Sequence, residues 1–176
     1  MSAKGFLRKL ITGRRRPDEN ARTILIVDDD PDLRDNLKDI LEAAGYTIHR
    51  AATMAEASKI ARDVQPWVAL VDLKLPDGTG MALLSDLKEV NHECVCILMT
   101  AYADVDSAVQ AIEKGVFYYL RKPVNPAEMV ELVDLAFETI RLKREREESN
   151  EKIRQRNQEL EETLERLRKI IGNQGM

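Results

Sequence analysis

The sequence predicts an α/β protein built on a doubly wound, five-stranded parallel sheet. Short runs rich in Val, Ile and Leu alternate five times with longer segments of helical periodicity, the pattern of βα units stacked into one sheet with helices on both faces. Cap and turn residues stand at the joints between them. The last helical pattern then runs on with no Gly or Pro until Gly172, far past the point where one domain should close.

The strand-like runs are 23–27 (TILIV), 46–50 (YTIHR), 67–71 (WVALV), 94–99 (CVCILM) and 116–120 (VFYYL). After the first, Leu33, Leu37, Ile40, Leu41 and Ala44 recur at spacings of three and four, which predicts an amphipathic helix. Asp30 is placed to cap it, Pro31 to open it and Gly45 to end it. Asn125 and Pro126 repeat the device before the final helix, whose Met129, Leu132, Val133, Ala136, Phe137 and Ile140 make one core-facing stripe. A continuous helix of about 45 residues is roughly 70 Å long, so much of it is expected to project beyond the domain. The organisation expected is a basic, flexible extension over 1–21, a globular domain over 22–141 and a helical coiled-coil extension over 142–176.

Composition sets the limits. A chain of 176 residues, 44% hydrophobic and 33% charged, holds one core-forming domain with an appendage. Its formal net charge of -4 gives no overall reason to expect nucleic acid. The sign is uneven, because residues 1–17 carry Lys4, Arg8, Lys9, Arg14, Arg15 and Arg16 with no acid before Asp18. Phe6, Leu7, Leu10 and Ile11 can form an apolar stripe beside them, so contact of this basic segment with a membrane surface or a partner stands as the alternative to a flexible tail. No apolar run approaches the roughly 20 residues of a membrane span, and GFLRKLITG lacks the uninterrupted apolar core of a secretory signal. A cytoplasmic protein is expected, with Cys94 and Cys96 as buried thiols in a reducing compartment.

In the projecting helix a seven-residue repeat is legible. Ile153, Leu160 and Leu167 fall at d positions, and Asn150, Asn157, Leu164 and Ile171 at a positions, with Arg156 at g able to meet Glu161 at e of a partner helix. That reads as a short parallel two-stranded coiled coil, its buried Asn residues selecting register and dimer state. A lone, charge-rich solvated helix is the alternative, and between Arg141 and Lys152 the seam is polar.

Chemistry is expected at the carboxyl ends of the strands, at the point where strand order reverses. Asp28 and Asp29 follow the first strand, Asp72 the third, Thr100 and Ala101 the fourth, and Lys122 and Pro123 the fifth. With strand order 2-1-3-4-5 the first and third strands are neighbours, and Asp28, Asp29 and Asp72 converge. Three carboxylates in one pocket suit Mg²⁺, and with Lys122 and Thr100 opposite they make a centre for handling phosphate. There is no G-x-x-x-x-G-K-[ST] loop, no G-x-G-x-x-G after the first strand and no Ser or Cys nucleophile with a placed histidine; His49 and His92 read as incidental. The nucleophile that remains is a carboxylate.

The acidic pair Asp28–Asp29, the lone Asp72, Thr100–Ala101 and Lys122–Pro123, in this order and spacing, resemble the receiver domain of bacterial two-component response regulators, a flavodoxin-like fold, over roughly residues 22–141. The resemblance implies that Asp72 accepts a phosphoryl group from a sensor histidine kinase or phosphotransfer protein. It implies that Asp29, Asp72 and the backbone carbonyl of Lys74 hold Mg²⁺, with Asp28 assisting through water, and that Thr100 and Lys122 contact the phosphoryl oxygens. The Lys122–Pro123 bond is expected to be cis. Thr100 and Tyr119 are expected to form the switch, with Tyr118 on the opposite face, and the readout face to comprise the fourth helix (about 104–114), the fifth strand and the fifth helix. Lys74 and Tyr102 occupy positions that tune phosphoryl lifetime, and bulky Tyr102 leads to an expectation of slow autodephosphorylation, a half-life of seconds with Mg²⁺ being the contrary result.

Beyond Arg141 no helix-turn-helix, zinc motif or nucleotide-binding loop is read in the sequence, so no DNA-binding domain is expected. The expected role is a phosphoacceptor signalling protein, not an enzyme beyond self-catalysed phosphoryl transfer. It would act as a coiled-coil homodimer on an unknown protein effector. The alternatives are the regulatory front portion of a longer enzyme (kinase, cyclase or phosphodiesterase) joined through the coil, and a receiver-like domain that works without phosphate.

Overall fold

The computed structural model describes residues 22–101 and 105–172. The expected basic extension over 1–21, Tyr102 and the last four residues lie outside them. The order is β1 (Thr23–Val27), α1 (Pro31–Ala43), β2 (Thr47–Ala51), α2 (Met54–Val64), β3 (Val68–Asp72), β4 (Lys74–Leu75), β5 (Gly78–Thr79), α3 (Gly80–Val90), β6 (Val95–Thr100), α4 (Val105–Glu113), β7 (Tyr118–Arg121) and α5 (Pro126–Gly172).

Five strands form one parallel sheet in the order β2-β1-β3-β6-β7, the predicted 2-1-3-4-5 once the two-residue strands β4 and β5 are set aside. The predicted strands begin and end one or two residues early in four of five cases. The correction matters at the site, since Asp72 and Thr100 are the last residues of β3 and β6 rather than the first residues after them. The β4–β5 hairpin was not legible in the sequence. Its register is Lys74↔Thr79 and Leu75↔Gly78, too short to give a hydrophobic period.

The caps behave as their chemistry dictates. Asp30 accepts from the amides of Asp32 (3.0 Å) and Leu33 (3.2 Å), answering two of the free N–H groups at the start of α1. Gly45 follows the helix with φ at 89°, the left-handed conformation that a Cβ disfavours. Asn125 accepts from Ala127 at 2.9 Å to open α5.

Alternation along the buried strands builds two layers. One face carries Leu25, Val27, Ala69, Val71, Cys96 and Leu98, packed with Ala57 and Ala61 of α2, Leu83, Leu84 and Leu87 of α3, and Ala111 of α4. The other presents Ile24, Ile26, Leu70, Ile97 and Met99, while Leu37 and Leu41 of α1 and Met129, Val133 and Ala136 of α5 are buried outside the first cluster. Cys94 and Cys96 are free, buried thiols, as expected.

At the opposite end of the sheet from the acidic residues, Tyr46 stacks on Phe137 of α5 with ring centroids 5.1 Å apart. The Arg22 guanidinium lies 4.4 Å over the Tyr46 ring and donates to its hydroxyl at 3.0 Å, and that hydroxyl donates to Asp134. Burial, then the Asp134 contact, push the Tyr46 hydroxyl up to about 12, against the opposing pull of Arg22.

The chain divides into two compact units, with the boundary between Phe137 and Glu138. In the second, Arg141 donates to Glu138 and to Glu145, ion pairs at helical spacing. Ile153, Leu160, Leu164, Leu167 and Ile171, the apolar members of the heptad, are all exposed in the single chain. No helix among the described residues is long and apolar enough to cross a membrane.

Tyr46→Phe keeps the ring stack and removes the hydroxyl shared by Arg22 and Asp134; urea unfolding should register a loss of about 1–2 kcal/mol. The raised Tyr46 pKa adds a pH signature. Above pH 10 the unfolded chain ionises Tyr46 while the folded chain holds the proton to about 12, so stability falls across that window. Tyr46→Phe should remove that share of the fall.

Candidate functional site

The site stands at the carboxyl ends of β1, β3, β6 and β7. Asp28 directly follows β1 and is fully buried, held there by its own backbone, since its N–H donates to Ala51 of β2 at 3.1 Å and its carbonyl accepts from Arg34. Asp29, next in the chain, is exposed. Asp72 ends β3, one strand over, with its side chain nearly buried. Oxygens of Asp28, Asp29 and Asp72 lie within 4.8 Å of one another. Thr100 ends β6, buried, and its carbonyl accepts from the Lys122 amide at 2.7 Å, so the strand ends fix the lysine's backbone. The Lys122–Pro123 bond is cis, as expected.

Lys122 Nζ reaches back between the carboxylates, 2.6 Å from Asp72 Oδ2 and 2.6 Å from Asp28 Oδ2. The two contacts differ in kind. The one to Asp72 is a directed hydrogen bond, whereas the approach to Asp28 is close but poorly aimed and leaves Asp28 Oδ2 buried with no directed donor among the described residues. Asp28 Oδ1 accepts from the Asp30 amide at 3.1 Å. Burial is the strongest influence on Asp28 and raises its pKa; Lys122 and the Asp30 N–H pull it back down, and Asp72 adds to the rise. For Lys122, burial is also the largest influence and lowers its pKa, but the contacts to Asp28 and Asp72 outweigh it, so the ammonium is held above its ordinary range and stays charged at neutral pH.

This donor set fits a hard divalent cation such as Mg²⁺. It offers three carboxylates within one ion's reach, one buried, with an oxygen whose contact to Lys122 is poorly aimed, and one open to water that can complete the shell. The Lys74 amide donates to Asp72 Oδ1 at 3.1 Å, which brings the remaining predicted metal position beside the cluster. Tyr119 is half-buried, with its hydroxyl 2.7 Å from Ser107 Oγ of α4, while Tyr118 is 43% exposed. Tyr102, the second expected lifetime position, lies outside the described residues.

Likeness to known proteins decides which family this is. The response regulator receiver domain matches residues 24–134. The chain belongs to the response regulator receiver family. Receiver domains serve two-component phosphorelay signalling, and the matched relatives are signalling proteins. The photosynthetic apparatus regulatory protein RegA of Cereibacter sphaeroides is 34% identical over 108 residues, 61% of this chain and 59% of RegA. The alignments cover only 24 to 26% of the next two curated relatives, so this chain corresponds to part of their length. Among solved structures, a receiver domain protein from Methanospirillum hungatei is 33% identical with a TM-score of 0.68, covering 70% of this chain and 99% of that one. A response regulator from Burkholderia pseudomallei, 27% identical with a TM-score of 0.61 over 70% of this chain and 72% of that one, carries a phosphorylated aspartic acid, a calcium ion and citrate.

Two receiver residues escaped sequence reading. A Cβ on Gly80 would stand 2.1 Å from the Asp72 carbonyl oxygen and 2.7 Å from Val71 Cγ1, so only glycine lets the start of α3 approach the acceptor strand this closely. Gly80 stands two residues past the Pro76-Asp77-Gly78 turn, where a glycine reads as one more turn residue. Asp77 accepts from the Met54 amide at 2.8 Å and the Ala55 amide at 3.0 Å, a long-range cap that no local pattern announces.

The raised Asp28 pKa has a defined sign. The folded state binds the proton more tightly than the unfolded chain, so stability is lost as pH rises from the ordinary carboxylate range upward, and at neutral pH the buried charge is a cost. Asp28→Asn should therefore raise the thermal midpoint at neutral pH in the presence of chelator by a few degrees, and remove the loss of stability that this carboxyl contributes as pH rises through the carboxylate range.

Proposed function

We propose that this receiver accepts a phosphoryl group on Asp72 from a sensor histidine kinase or phosphotransfer protein. The observation that carries this is Lys122 Nζ at 2.6 Å from both Asp28 and Asp72. An Asp72 oxygen forms the new P–O bond as the P–N bond of the donor's phosphohistidine breaks. The imidazole nitrogen leaves with the electron pair and takes up a proton. Asp29, Asp72 and the Lys74 carbonyl hold Mg²⁺ in this reading, with Asp28 acting through water. When bound, that ion neutralises charge on the phosphoryl oxygens. Lys122, kept charged by its two carboxylate neighbours, does the same from the opposite side, and Thr100 donates a hydrogen bond to a phosphoryl oxygen. Slow autodephosphorylation, set by Lys74 and Tyr102, completes this self-catalysed chemistry.

The output follows from Thr100 and Tyr119. As Thr100 moves toward the phosphoryl group, Tyr119 takes up the space it leaves, and the face formed by α4, β7 and α5 repacks; a bias of a few kcal/mol between two packings is enough to change which predominates. α5 is one helix from Pro126 to Gly172, so it carries both part of that face and the heptad. We take the domain organisation to be the receiver over 22–141 and a parallel coiled-coil dimer over 142–176, with another polypeptide as effector. The exposed heptad residues and the Arg156–Glu161 complementarity support the second copy as partner. A second reading is the regulatory front portion of a longer enzyme, with the helix as connector; the matched part is only 24 to 26% of two curated relatives, which are longer regulatory proteins.

Incubation with acetyl phosphate and Mg²⁺ should add one phosphoryl mass to the wild type and none to Asp72→Asn. Sedimentation velocity of the same protein with beryllofluoride and Mg²⁺ should change its mass or shape; an unchanged profile would remove the coil as output.

A further inference from the structure

The β4–β5 hairpin begins at Lys74, two residues after Asp72. Its two-residue strands are far below the length at which a hairpin is stable by itself. One end is tied to the site: the Lys74 amide donates to Asp72 Oδ1 at 3.1 Å, and the Gly80 amide to the Leu73 carbonyl at 2.9 Å. The other end is its tip, where Asp77 sends both carboxylate oxygens to the start of α2, at 2.8 Å from the Met54 nitrogen and 3.0 Å from the Ala55 nitrogen. These two hydrogen bonds, the larger first to Met54, hold the Asp77 carboxyl below its ordinary range.

The helix is capped without this help. Thr53 Oγ1, at the N-cap, accepts from the Glu56 amide at 3.2 Å, and Glu56 Oε2 accepts from the Ala52 amide, one residue before the N-cap, at 2.8 Å. A carboxylate arriving from 22 and 23 residues away therefore adds what a local cap does not: it fixes the hairpin against α2. At Gly78 the hairpin tip packs against the Met54 side chain, whose Sδ would lie 2.5 Å from a Cβ placed there.

We propose that Asp77 is a positioning residue for the phosphoryl site, anchoring the hairpin so that Lys74 presents its carbonyl to the metal and its amide to Asp72. This rests on the assignment of Lys74 and Asp72 to the Mg²⁺ site. The test compares Asp77→Ala and Asp77→Asn with Thr53→Ala, which removes a cap of the same helix but leaves the hairpin anchored. Amide hydrogen exchange on metal-free protein reads the anchor, and calorimetric titration with Mg²⁺ alone reads its effect on the site. Asp77→Ala should speed exchange at Lys74 and at residues 78–80 about tenfold and weaken Mg²⁺ binding about tenfold, with Asp77→Asn between it and wild type. Thr53→Ala should lower the thermal midpoint and move neither readout. Indistinguishable behaviour of Asp77→Ala and Thr53→Ala in both readouts would overturn the proposal. If the wild type binds no Mg²⁺, the metal reading of the site fails; the exchange rates still decide whether Asp77 anchors the hairpin, and its role at the site is overturned.

Discussion

One ammonium between two carboxylates organises this protein. Lys122 reaches both Asp28 and Asp72, and neither contact resolves the charge at the site: three acids face one lysine, and a buried oxygen of Asp28 has no directed partner. A buried carboxylate left this way is costly in the absence of a cation and responsive to one in its presence. Three acids against one ammonium leave the pocket net negative, a charge that a divalent cation answers.

The sheet produces this juxtaposition by topology. Parallel strands point their carboxyl ends one way, and placing β1 beside β3 brings Asp28 and Asp72 together across 44 residues of sequence. Lys122 arrives from the far side of the sheet because its amide is fixed to the Thr100 carbonyl at the end of β6. The acids that crowd the start of α1 in the sequence thus separate by task. Asp28 and Asp29 face the site, while Asp30 serves the amides of α1 and Asp32 lies in its first turn, where the helix dipole favours a negative charge.

Much of this was legible in the sequence because it is local or periodic. Leu33, Leu37 and Leu41 write a helix, Asp30 with Pro31 and Asn125 with Pro126 mark where helices begin, and four all-apolar or nearly apolar runs, with the more polar edge strand YTIHR, write a parallel sheet. The positions Asp28, Asp29, Asp72, Thr100 and Lys122 could be assembled because strand order converts sequence order into proximity. What stayed hidden was long-range or needed atoms. The Tyr46 hydroxyl meets Asp134 across 88 residues, Asp77 reaches α2 across more than twenty, and the requirement at Gly80 is for the absence of a Cβ beside the Asp72 carbonyl. The β4–β5 hairpin has no period at all, and strand ends slipped by a residue or two because Tyr46, Trp67 and Cys94 are as apolar as the strands they precede.

The central claim is that the acidic cluster is built for a divalent cation. Its most direct test is the thermal midpoint of the wild-type protein as Mg²⁺ is added to chelator-treated samples, since a ligand bound only by the folded state raises that midpoint by mass action. The account predicts a saturable rise that Asp72→Asn diminishes. A midpoint that stays flat, or that rises equally in Asp72→Asn, would contradict it.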